Sequence, residues 1–197
     1  TIVVGHHPRS GVNGLDLWGT SGNFDRLVDA TDADVYLFGH VHIYNDSWFD
    51  SVLFVQSPTL GKDSIIASTG FSVVAIDDDG PVVRRVALDI EGGDAEVEWP
   101  VVVITHPADS DLGGTNPVGG SLPRATAGQL LRATVFSIDP PDAVQYQIHG
   151  GAWENMTPVG HWWEAEFDTV DESTMNLVVR ALAGPGVDTH EITIELE

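Results

Sequence analysis

From Trp99 to Glu197 no apolar stripe recurs at helical spacing, and this narrows the possible folds more than any other feature of the sequence. In its place come short runs rich in β-branched and aromatic residues: PVVVIT, QLLRATVFSI, AVQYQIHG, HWWEAEFD, MNLVVRAL and HEITIEL. Turn residues separate them, and the segment from Pro107 to Pro123 is a loop rich in Gly and Pro. Side chains alternate across an extended strand, so such runs bury one face and wet the other. About seven strands of this kind make a β-sandwich. Trp153, Trp162 and Trp163 are expected in its core packing and rim rather than on a carbohydrate platform.

The first half reads differently. Ile2–Val4 is a buried-strand signal ended by Gly5, and residues 9–22 form a Gly-, Asn- and Ser-rich loop. Asn23 is placed to cap a helix in which Phe24, Leu27 and Val28 sit at helical spacing, and Val35–Phe38 returns to strand. SVLFVQSPTLG and GFSVVAIDDDGPVVRRVALDI add strands, the second a hairpin turning at Asp79-Gly80. Strand, helix, strand and hairpins predict an α/β layered half-sandwich over residues 1–92. The acidic, Gly-containing bridge EGGDAEVE puts a boundary near residues 90–98, with an all-β domain over residues 99–197.

Charge limits the partners. Thirty acidic against eight basic side chains give a formal net charge of −22, and Lys62 is the only lysine. Such a surface repels phosphate backbones and anionic headgroups, which excludes nucleic acid as a partner through charge. Adaptation to high salt, where screening shortens the repulsion between carboxylates, and calcium binding by acid clusters are the two readings. The acids spread along the whole chain and no run matches an EF-hand loop, which favours the halophilic one. There is no cysteine, hence no disulfide and no thiolate site. No apolar run approaches the ~18 residues that cross a bilayer. The sequence opens on TIVVGHHP with no charged n-region, and is expected to be the C-terminal part of a longer protein.

Four of the eight histidines stand just past apolar runs, in VVGHHPRS and YLFGHVH. Where the chain is extended, His40 and His42 project to the same side, and two such imidazoles can each bind one of two neighbouring ions. Paired divalent ions ~3.5–4 Å apart suit phosphate ester hydrolysis, because both oxygens of an in-line displacement need their charge neutralised. Two solvated loop histidines are the plainer alternative. In open α/β sheets ligands gather at the carboxyl ends of strands, where both histidine groups are predicted.

GHHP after one strand and GHVH after a later one, with a helix between, resembles the last two motifs of the calcineurin-like metallophosphoesterases. The resemblance covers roughly residues 1–90 and includes FVQSPTLG, similar to that family's Ser-containing loop. It implies a partial αββα metallophosphoesterase sandwich. It makes His6 and His40 ligands of one ion and His42 a ligand of the second, with His7 behind the metal ligands or near substrate; beside it, His7 and Asn45 are expected to touch phosphate oxygens. The ions implied are Mn, Fe, Zn or Ni, and the partner a phosphate mono- or diester. EWPVVVITHPAD after this part resembles membrane-anchored members in which an Ig-like domain follows, and residues 99–197 are similar to Ig/fibronectin-type modules. That implies an extracellular or membrane-tethered location. His106, His149, His161 and His190 repeat no ligand pattern and are given no catalytic duty.

The family's Asp-x-His, Gly-Asp-x-x-Asp and Gly-Asn-His-Asp/Glu motifs are missing. GNFD at Gly22–Asp25 has Phe24 where the family has a histidine, and reads as a helix cap. With no carboxylate or asparagine ligand the chain alone is expected to be inactive, with no catalytic residue of its own and incomplete metal binding. Self-association, or a partner bringing the N-terminal motifs, is expected to cover the sheet edge. The alternative from another class is a non-catalytic binding or adhesion module in which the Ig-like domain carries the function.

Overall fold

The computed structural model describes residues 1–6, 30–61, 69–88 and 97–197. The chain divides into two compact units, Thr1–Ser72 with Arg85–Glu96, and Val73–Arg84 with Val97–Glu197.

The first unit holds a sheet of four strands, β1 (Ile2–Val4), β2 (Val35–Phe38), β3 (Asn45–Phe49) and β4 (Val52–Gln56), in the order β1-β2-β4-β3. β1 and β2 run parallel, as do β2 and β4, while β3 and β4 form an antiparallel hairpin. Its turn is Asp50-Ser51, both with positive φ, which matches the right-handed twist of the flanking strands. Tyr36, Phe38, Val52 and Phe54 bury one face of the sheet, with Tyr36 stacked on Phe38 at 5.3 Å and edge-on to Phe54 at 5.5 Å. Val35, Leu53 and Val55 are buried on the other face. Among the described residues β1 is an edge strand, with Ile2 and Val4 52% and 75% exposed.

β5 (Gly70–Asp77) and β6 (Gly80–Ala87) form the expected hairpin, turning at Asp78 and Asp79. The division assigns its two ends to the first unit and Val73–Arg84 to the second.

The second unit is a β-sandwich. One sheet orders β10 (Glu154–Asn155), β9 (Ala143–Ile148), β13 (Thr174–Ala183) and β14 (Gly186–Glu195). The other orders β11 (Thr157–Val159), β12 (Trp162–Phe167), β8 (Gln129–Phe136) and β7 (Val101–His106). β13 shows why the sequence folds this way. Met175, Leu177, Val179 and Ala181 alternate inward and are fully buried, joining Val102, Ile104, Leu131, Phe167, Ile192 and Ile194 in one core. Each large apolar side chain buried there contributes about 1.5–3 kcal/mol. Trp163 packs against this core, while Trp162 is at the rim with the Arg132 guanidinium 5.5 Å from its ring. Trp153 lies under Arg180 at 4.0 Å.

The outer edge of β7 is closed by side chains rather than by a strand. Val102 N–H donates to Asp188 Oδ2 at 2.8 Å and Ile104 N–H to His190 Nδ1 at 2.9 Å, both acceptors on β14. Arg84 holds Asp188 from the other side at 2.6 Å.

The fold expectation for residues 1–92 needs correction. Strand makes up 55% of the described residues and helix 3%, so the described residues are of all-β, sandwich type and not an α/β layered sandwich with an all-β tail. The physical reason lies in the runs themselves. Val35–Phe38, Val52–Gln56 and the β5–β6 hairpin are rich in β-branched and aromatic residues and all form sheet. The helical signal comes from one short stretch after Asn23, most of which lies outside the described residues; among the described residues Ala30 and Thr31 are α-helical. The β-sandwich expected from Trp99 onward is what the structure has. No described helix is long and apolar enough to cross a membrane.

Candidate functional site

The parallel pairing of β1 and β2 continues past the strand ends. Gly5 N–H donates to Leu37 O at 2.9 Å and Gly39 N–H to His6 O at 3.3 Å, so His6 and His40 leave the same edge of the sheet as neighbours. Gly5 is needed for its size. A Cβ there would meet the Tyr36 hydroxyl oxygen at 2.2 Å, so the backbone before His6 can lie on Tyr36 only without a side chain. Burial pushes the Tyr36 hydroxyl pKa up, which keeps it neutral under that backbone.

His6 Nε2 and His40 Nδ1 are 3.1 Å apart, with ring centroids at 5.0 Å and planes crossing at 78°. One shared proton makes this a hydrogen bond. The same 3.1 Å separates two imidazole nitrogens that bind one ion at 2.0–2.1 Å with an angle of roughly 100° at the metal. That angle lies between the octahedral and tetrahedral values, so the separation by itself is compatible with two ligands of one ion.

His40 and His42 have φ of 78° and 60°, left-handed values that cost a non-Gly residue about 1–3 kcal/mol each. The reason is topological. The chain must leave β2, pass the end of β4 and enter β3 beyond it, a sideways step of roughly 10 Å made by residues 39–44. Strand alternation therefore does not set the directions of His40 and His42, contrary to the extended-chain expectation. His6 is the neighbour of His40, and His42 is exposed. Among the described residues no three His, Cys, Asp or Glu side chains are grouped to hold one ion. Asn45 opens β3, exposed and in register with Gln56. His7 lies outside the described residues.

Two histidines given no role by the sequence reading have structural work in the second unit. His106 Nδ1 meets Asp79 Oδ2 at 3.0 Å, and Ala108 N–H donates to the same oxygen at 2.6 Å. The Asp79 hydrogen bond raises the pKa of His106 against the opposing effect of burial. Burial would raise Asp79, but the bonds and charge of His106 and the Ala108 N–H bring it down overall. His190 is held neutral, its pKa lowered to about 3 by burial and then by Arg84. One signal was available for it: Asp188, His190, Ile192 and Ile194 are spaced by two and so share the inward face of β14.

No family model matches the chain, and no curated protein matches it. Among solved structures, an endo-β-1,4-mannanase from Thermotoga petrophila is 9% identical at a TM-score of 0.40, over 52% of this chain and 20% of that one. An engineered protein is 21% identical at 0.38, over 50% and 20%. A double mutant of the Cellulomonas fimi endo-β-1,4-mannanase is 20% identical at 0.33, over 49% and 18%. The chain thus spans about a fifth of the length of these structures, and likenesses this slight carry no argument about fold or function.

Proposed function

We propose that the strand ends carrying His6 and His40 are part of a metal-dependent phosphoesterase centre, acting on phosphate mono- or diesters. The observation that supports this reading is the 3.1 Å approach of His6 Nε2 to His40 Nδ1 from loops thirty-four residues apart in sequence. The motif resemblance assigns these same two side chains to one ion. A neutral imidazole pair suits Mn, Fe, Zn or Ni and discriminates poorly among them. Divalent ions held there would supply Lewis acidity and an acidified water for attack on phosphorus. In this reading His6 and His40 would hold the first ion and His42 the second, with Asn45 near the phosphate oxygens; His7, outside the described residues, is given the same duty by the sequence alone. Two imidazoles are half of a ligand set, and the motif resemblance gives the remaining carboxylate and asparagine ligands to motifs that this sequence lacks.

The test is hydrolysis of chromogenic phosphate mono- and diesters by the protein joined to its ligand-bearing segment, with and without manganese. Turnover that requires metal and is abolished by His6→Ala and by His40→Ala is expected. Metal-independent turnover, or full activity in both variants, would overturn the reading.

A further inference from the structure

At the carboxyl end of β4, beside the histidine pair, lies a polar group whose state the strand pattern does not explain. Gln56 is 6% exposed, and among the described residues its Nε2 has no hydrogen-bond partner. It stands in register with Phe38 on β2, two residues before His40, and with Asn45 on β3. Ser57 N–H, the next residue, donates to Phe38 O at 2.8 Å, which fixes this end of β4 against the start of the His40 loop. Residues Val52 and Phe54, four and two positions earlier, bury apolar side chains in the aromatic cluster. Alternation puts Gln56 on that same face, where an apolar residue would cost nothing. A buried amide donor without an acceptor is a standing loss that native structures rarely keep without a use.

We infer that Gln56 is a ligand-binding residue, its carboxamide donating to an anionic phosphoryl oxygen brought to the sheet edge beside His6 and His40. The inference rests on the phosphoesterase reading and deepens it. Asn45, the cross-strand neighbour of Gln56, supplies the second amide, and the pair offers neutral donors in a chain otherwise crowded with carboxylates. Neutral donors fit this setting. They bind an anion without a lysine or arginine, of which the protein has only eight, and leave charge neutralisation to the cation.

The experiment uses inorganic phosphate as the probe and the metal-loaded protein joined to its ligand-bearing segment, comparing Gln56→Leu and Gln56→Glu with the parent. Gln56→Leu is expected to weaken phosphate binding roughly tenfold or more, the factor one hydrogen bond to a charged oxygen supplies. It is also expected to leave thermal stability equal or higher, because the unmet donor is gone. Gln56→Glu should abolish phosphate binding through repulsion. Unchanged phosphate affinity in Gln56→Leu, or a marked loss of stability in that variant, would overturn the inference. Titration of the metal alone separates this from the underlying reading. If the histidine pair binds metal while phosphate affinity ignores Gln56, only the present inference fails. If neither His6 nor His40 binds metal, the phosphoesterase reading fails, and the stability of Gln56→Leu still reports on the unmet donor.

Discussion

Single atoms decide much of this molecule. The hydrogen of Gly5 is the clearest case: Gly5→Ala forces a methyl against the Tyr36 hydroxyl, and overpacking of this kind costs about 1–3 kcal/mol. Urea denaturation should show that loss, and Tyr36→Phe in the same background should recover part of it. Full stability in Gly5→Ala would mean that the backbone before His6 does not lie on Tyr36. His190 gives a pH test. Its folded pKa is lowered to about 3, whereas an unfolded histidine titrates near ~6.5. Between those values the unfolded state takes up a proton that the folded state refuses, so stability falls as pH drops through this window. His190→Gln keeps an acceptor for Ile104 N–H and should flatten that part of the profile of unfolding midpoint against pH. His6 and His40 were legible in the sequence as residues that follow strands. The direction of His42 was not, because left-handed backbone cancels the alternation on which the reading relied. Gln56 was illegible for another reason, since an unmet buried donor exists only once neighbours are in place.

At the scale of elements, β7 and the β5–β6 turn depend on polar side chains that close what strands leave open. Asp188 satisfies both Val102 N–H and Arg84, and its side chain and that of Arg84 are 22% and 14% exposed. Asp188→Ala strands a cation and an edge N–H together and should cost about 3 kcal/mol in chemical denaturation. A loss near zero would show that β7 needs no such closure. The hairpin turn is held to β7 by Asp79 and His106, with Asp77 bound by Arg132 and Arg132 in turn by Glu164. His106 has a raised pKa, so its contribution is full below ~6.5 and is lost as pH rises through the folded value. Asp79 is lowered, so its share is present above ~3.9 and is lost on acidification through its folded value. Amide exchange at Ala108, corrected for intrinsic rate, should therefore be slowest in mildly acidic solution and quicken above neutrality. His106→Gln should remove that rise. The sandwich strands were legible because β13 and its partners alternate without interruption. The α/β expectation failed because it rested on one short helical pattern after Asn23, whereas the described residues of this region are mostly β-rich runs that pair into sheet.

The molecule as a whole carries −22 in 197 residues, and that charge resists compaction. The screening length falls from about 10 Å at 0.1 M salt to about 3 Å at 1 M, so added salt should raise the melting temperature steadily over that range. A melting temperature that falls with salt would show that attractive pairs such as Arg84–Asp188 outweigh the repulsion. Every step of the functional account returns to one small fact, two imidazole nitrogens 3.1 Å apart at the end of a sheet. The most direct test is histidine NMR of this chain titrated with zinc. The account predicts that the His6 and His40 ring signals move together at one equivalent, weakly bound for lack of carboxylates, and that His40→Ala abolishes the response of His6. Zinc that leaves both rings unmoved, or moves His6 unchanged without His40, would contradict it.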